Sequence, residues 1–177
     1  RKNPSMSELT PLSASRIKKA QSCSWSYLAT YRLKVPDRSN DGASRGWICH
    51  LIFELLGNPR HRATYDEVIL KDNIFACEPV RRLVSYYAKK LNVNDEENLE
   101  LINNMTLAGL HFDFFGDARG EPNEAISEQE FNITIDEVDK LYRLRGFIDK
   151  LFFYEGKNLA VIRDFKSSKA VFKGKEV

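Results

Sequence analysis

Hydrophobic periodicity changes once along this chain, near residue 128, and that change limits the folds open to it. Before it, apolar residues recur at helical spacing; after it, they alternate or run together as strands do. Ser13 or Ser15 can cap a helix over residues 13–33, with Ile17, Ala20, Tyr27, Leu28 and Tyr31 in its apolar stripe. A polar loop follows at 36–42. A second helix over 43–56 stops at Gly57-Asn58-Pro59. Thr64 and Glu67 form a capping box for a short third helix. Residues 78–91 and 96–114 read as two more, and 116–123 as turns. Strands are expected over 128–135, 144–154 and 159–167. Helices first and then consecutive strands imply an α/β (α+β) fold: a mixed central sheet flanked by helices, with a helical N-terminal half, in one domain over residues 1–177.

Composition narrows the function classes. With 42% hydrophobic and 29% charged residues, the chain can bury a core and need not be disordered. Its longest apolar runs are too short to span a bilayer, so no membrane partner is expected. Arg1-Lys2-Asn3-Pro4 lacks the apolar segment of a signal peptide, which implies a cytoplasmic protein. Net charge is only +2, but it is unevenly spread. Arg16, Lys18, Lys19, Arg32 and Lys34 have no acidic neighbour between Leu9 and Pro36, and the segment from Lys140 onward is basic too. These ends fit solvated faces, and they also fit a phosphate-binding surface. Cys23, Cys49 and Cys77 make neither a disulfide framework nor a zinc site, so reduced, mostly buried thiols are expected.

The last two strands carry the chemistry. A two-residue type II′ turn at Gly156-Lys157 would place Asp149 opposite Asp164, and Phe147 opposite Lys166. Side chains alternate along a strand, so Asp149, Asp164 and Lys166 would share a face. Like charges opposed in a hairpin destabilise it unless compensated. Lys166 alone would make a buried or edge Asp–Lys–Asp salt bridge; a divalent metal would make an oxygen-rich site suited to Mg²⁺ or Mn²⁺. On the second helix, His50 and Glu54 are four apart and share a face. That pair reads either as a satisfied core histidine or as a polar corner of a metal shell. Trp25, Tyr27 and Tyr31 are either core residues or stacking platforms for bases.

Together these residues make a family pattern. Ser13-Ala14-Ser15-Arg16-Ile17 followed by Cys23-Ser24-Trp25-Ser26-Tyr27 resembles the opening helix of RecB-like nucleases. Gly46-Trp47-Ile48-Cys49-His50-Leu51-Ile52-Phe53-Glu54 resembles their histidine motif. Gly146-Phe147-Ile148-Asp149-Lys150 and Asp164-Phe165-Lys166-Ser167 resemble their two acidic motifs. The order and spacing are those of the PD-(D/E)XK nuclease superfamily, RecB-like branch, which includes recombination and phage exonucleases. The resemblance spans residues 13–169.

It implies a restriction-endonuclease-like core and a Mg²⁺- or Mn²⁺-dependent deoxyribonuclease, in particular an exonuclease. His50, Asp149, Asp164 and the main-chain carbonyl of Phe165 would ligate the metal. Lys166 would orient the attacking water. Glu54 and Glu130 would support the ligands, and Arg16, Lys18, Lys19 and Lys169 would hold DNA phosphates. A helicase or another recombination partner, and a prokaryotic or phage-infected host, fit the same resemblance. The family's Q-x-x-x-Y helix is not seen before Val177, so a C-terminal truncation is expected. Some relatives use a cysteine at the place of Cys23 for an iron–sulfur cluster; its other three ligands are missing here, and no cluster is expected. The rival readings are a catalytically silent nucleic-acid-binding module and an interaction domain of a recombination or repair complex.

Overall fold

The computed structural model describes residues 9–35, 40–137 and 140–166. It divides into two compact units, Arg1–Arg38 with Gln129–Ile148, and Ser39–Glu128 with Asp149–Val177.

In the first unit, Ser13 accepts the Arg16 N–H and starts α1 (Ala14–Ser22). The single helix expected over 13–33 is broken at Cys23, whose backbone is extended (φ −161°, ψ 107°). Its thiol accepts the Ser26 N–H, so Cys23 caps a new start, α2 (Ser24–Tyr27). A π-helical turn, Leu28–Arg32, follows. The break is local capping chemistry: a side chain at residue 23 offers the backbone an alternative to the helical ladder.

The second unit is built around α3 (Asp41–Gly57). Asn40 caps it by accepting the Ala43 N–H at 2.7 Å, and Asp41 sits in its first turn, where a negative charge suits the helix dipole. Ile48, Cys49, Ile52, Phe53 and Leu56 of α3 are buried in the core. Around it pack α4 (Arg62–Lys71), α5 (Glu78–Lys90) and α6 (Glu96–His111). Gly109 lets α6 close on α3, because a β-carbon there would lie 2.5 Å from the Phe53 ring. The Thr64–Glu67 capping box does not form. A 3₁₀ turn, Pro59–His61, capped by Asn58, feeds α4 two residues before Thr64, so Thr64 is already inside the helix.

Strands β1 (Glu124–Glu137), β2 (Lys140–Tyr154) and β3 (Leu159–Arg163) form a sheet in that order. β2 and β3 are antiparallel, and a parallel bridge joins Leu12 to Leu144. The arrangement is mixed α/β, with the helices before the sheet, and is consistent with a restriction-endonuclease-like fold. The hairpin register is the expected one, from Lys150 opposite Arg163 to Tyr154 opposite Leu159. Its turn is not. Residues Glu155–Lys157 make one 3₁₀ turn, and Asn158, rather than glycine, takes the left-handed conformation (φ 46°, ψ 48°). Asparagine tolerates that region, so the reversal spreads over four residues without shifting the pairing. β3 also ends earlier than expected, at Arg163. Arg163 is fixed there by donating to the carbonyls of Phe112 and Asp113.

Candidate metal centre

Where β3 ends, Asp149 takes over. The next pair in register would be Asp149 with Asp164, but the ladder stops one step short. Asp149 Oδ2 instead accepts the Phe165 N–H at 2.6 Å, so a side chain satisfies the donor that a strand would have used. The other oxygen, Oδ1, faces His50 Nδ1 at 3.5 Å. His50 comes from the middle of α3, where its ring meets Phe53 edge-on. Glu128 Oε1 approaches the same nitrogen at 3.4 Å. The donor atoms of His50, Glu128 and Asp149 lie within 4.8 Å of one another.

Burial gives this cluster its electrostatics. Asp149 is 11% exposed and Glu128 23%. Desolvation pushes the Asp149 carboxyl above its ordinary range, Asp164 adds to the rise, and the Phe165 N–H, His50 and Lys166 oppose it. Glu128 is raised first by desolvation and then by Asp149 and Glu54, against the pull of His50. Two carboxylates held together at this cost are a site short of positive charge. An imidazole nitrogen with carboxylate oxygens is a donor set that fits a divalent cation.

Glu128 is the residue that sequence reasoning missed. In an unbroken strand Glu128 and Glu130 would point to the same face. Glu128 has φ +52°, a left-handed value that costs a non-glycine residue about 1 kcal/mol or more. The kink breaks the alternation and aims Glu128 at His50. Glu130 instead pairs with Arg145 at 2.6 Å and is half-exposed. Nothing in Ser127-Glu128-Gln129 marks such a kink; a carboxylate two residues from the expected one was the only signal.

Asp164 and Lys166 form an ion pair with each other and are more exposed than the cluster. Lys166 nevertheless lines the same cleft as His50, with Phe53, Met105, Gly109 and Phe165 among the walls and a volume of about 170 Å³. Glu54 is exposed, and its charge raises the Glu128 carboxyl. Phe165 packs its ring on Phe53, with centroids 4.6 Å apart. Arg16 is already used within its own unit, donating to the Pro11 carbonyl at 2.7 Å and covering the Tyr31 ring. Lys18 is exposed and Lys19 half-buried on α1, and Lys169 lies outside the described residues. Trp25 is 72% exposed, so it is no core residue. The three cysteines are free; Cys49 and Cys77 are buried, while Cys23 is exposed. Among the described residues no helix is long and apolar enough to cross a membrane.

A sequence model of the PD-(D/E)XK nuclease superfamily matches residues 11–176. No curated protein and no solved structure matches the chain. The match runs through both acidic motifs of the hairpin and the histidine of α3, and the chain therefore belongs to the PD-(D/E)XK nuclease superfamily.

Proposed function

We propose that this chain is a Mg²⁺- or Mn²⁺-dependent deoxyribonuclease of the RecB-like branch, hydrolysing phosphodiester bonds from strand ends. The observation that carries the reading is the convergence of His50, Glu128 and Asp149 beside a cleft that Lys166 also lines. His50, Asp149, Asp164 and the Phe165 carbonyl are the proposed ligands, with Glu128 added to them. A bound divalent cation would polarise the scissile phosphate and lower the pKa of the attacking water.

The protein's own groups do the rest. The Phe165 N–H fixes one oxygen of Asp149 and leaves the other turned toward His50. Lys166 is a fixed cation at the cleft, paired with Asp164 until substrate enters. Its ammonium orients the water and stabilises the negative charge that develops on the phosphoryl oxygens. Phe53, Met105 and Phe165 give the cleft an apolar wall, which strengthens those charges by excluding water. Arg16, Lys18, Lys19 and Lys169 are proposed to hold flanking phosphates, which positions a strand without reading its sequence. A helicase-like recombination partner would supply the ends.

End-labelled single- and double-stranded DNA tests this. Cleavage should require Mg²⁺ or Mn²⁺ and stop with a chelator. Lys166→Ala should lose about 100-fold or more in rate while metal binding persists. DNA binding with no cleavage under any divalent metal would leave only a silent binding module.

A further inference from the structure

Aromatic rings lie open on the surface of α3 and α5. Trp47 is 47% exposed and Tyr86 61% exposed. Trp47 meets Tyr87 edge-on, with centroids 4.9 Å apart at 80°, and Tyr87 meets Tyr86 in the same way at 84°. In each perpendicular contact the edge of one ring meets the face of the other, and the exposure of Trp47 and Tyr86 leaves much of their own ring surface open. The groove between the helices measures about 430 Å³ and is lined by Ala43, Ser44, Trp47, Tyr87, Lys90 and Leu91. Among the described residues no carboxylate lines it.

The charge on α5 is mostly of one sign. α5 carries Arg81, Arg82, Lys89 and Lys90 against a single acid, Glu78, which is occupied by Arg82. Arg82, Tyr86 and Lys90 recur every four residues and so form one row along the helix. The Lys90 ammonium lies 5.9 Å from the ring centres of both Tyr86 and Tyr87. A helix C-terminus favours lysines by its dipole, which accounts for Lys89 and Lys90 but not for uncovered rings next to them. Rings with cations between them match a ligand that alternates flat apolar faces with negative charge. A nucleic-acid strand is that ligand, and only an unpaired one has free base faces, because a duplex already covers them.

Trp47 also precedes His50 by three residues on α3, one helical turn away. We propose that Trp47, Tyr86, Tyr87 and Lys90 form a base-stacking platform that holds a single-stranded stretch of the substrate one helical turn from the metal centre. The platform rests on the nuclease reading for its purpose, but its binding chemistry stands on these residues alone.

The test is fluorescence anisotropy with the full chain and labelled oligo(dT) about ten nucleotides long, in chelator so that nothing is cut. Trp47→Ala should weaken binding about fivefold or more, the factor one stacked base contributes, and Trp47→Phe should keep most of the affinity. Lys90→Ala should flatten the slope of log affinity against log salt by about 0.7, which Trp47→Ala should not. Tyr86→Ala serves as a second probe if Trp47→Ala melts early.

Unchanged affinity in Trp47→Ala, or an equal loss on blunt duplex, overturns the platform. So does a dimer in solution that Trp47→Ala splits, since the rings would then face a second copy. Hydrolysis of thymidine 5′-(p-nitrophenyl phosphate) in Mg²⁺, a substrate too short to reach the groove, keeps the two readings apart. Wild type inactive on both this ester and DNA defeats the nuclease reading, while the anisotropy still decides the platform. Trp47→Ala that binds and cuts like wild type defeats the platform and leaves the nuclease.

Discussion

Lys150 is a lysine in the core, and replacing it by methionine should stabilise the protein. It follows Asp149 on β2, so the alternation that turns Asp149 to His50 turns Lys150 the other way. It is 1% exposed, and its ammonium donates to Ser127 Oγ at 2.9 Å and lies 4.2 Å from the centre of the Phe114 ring. Among the described residues no carboxylate pairs with it, and burial lowers its pKa from 10.5 to about 8. At 1.36 kcal/mol per pKa unit, the buried charge costs folding about 3 kcal/mol wherever both states are protonated, below pH 8. Between pH 8 and 10.5 the folded state releases its proton first, so wild-type stability rises with pH through that window. Methionine of similar length removes the cost. It also removes the cation–π contact with Phe114, about 0.5–2 kcal/mol, and the hydrogen bond to Ser127, about 1 kcal/mol. The balance predicts Lys150→Met to be more stable at pH 7 by up to about 1.5 kcal/mol, with the advantage vanishing toward pH 10.

Urea unfolding of both proteins at each pH measures the effect as a difference. The difference matters because the Cys49 thiol, pushed up to about 11 by burial, makes stability fall above its ordinary value of 9.0. That slope is common to both proteins and cancels. A variant less stable than wild type at pH 7, or a difference between the two proteins that stays constant from pH 8 to 10, would refute the reasoning.

Other outcomes follow from the same structure. Glu128→Gln should weaken metal binding measured by calorimetry, whereas Glu130→Gln should leave it unchanged, because only Glu128 faces His50. The raised carboxyls of Asp149 and Glu128 hold protons to higher pH than free carboxyls, so protons compete with metal. Without metal their contribution to stability falls as pH rises through those values; with metal at about 100 times Kd, about 2.7 kcal/mol is regained. The thermal shift on adding Mn²⁺ should therefore be larger at about pH 7.5 than at about pH 5, and equal shifts would contradict the pKa assignment. Gly109→Ala should destabilise the protein by about 1–3 kcal/mol in urea unfolding, since its β-carbon meets a ring rather than a flexible chain end.

Much of the site could be read from residue types and spacing. The pairing of β2 with β3 followed from the hairpin alone, although the turn that makes it was misjudged: pairing depends on the total offset, which Asn158 preserves as well as a glycine turn would. The meeting of His50 with Asp149 joins a helix to a strand about a hundred residues away, and only the family pattern made it legible. The rest was hidden for definite reasons. Glu128 takes a positive φ with no glycine to announce it. The break at Cys23 depends on a thiol acting as a cap, a role usually filled by Ser, Thr, Asp or Asn. Lys150 reads as a solvent residue because lysine is almost never fully buried, and its three phenylalanine neighbours are distant in sequence or unremarkable in a strand.

The central claim is that one divalent cation sits against the imidazole of α3 and the carboxylates of β1 and β2. Crystals soaked in Mn²⁺ and measured for anomalous scattering test it directly. The account predicts a peak within ligand distance, about 2.0–2.3 Å, of His50, Asp149 and Glu128, with Asp164 drawn in from its pairing with Lys166. Manganese bound in solution but absent from that position in the crystal would contradict it.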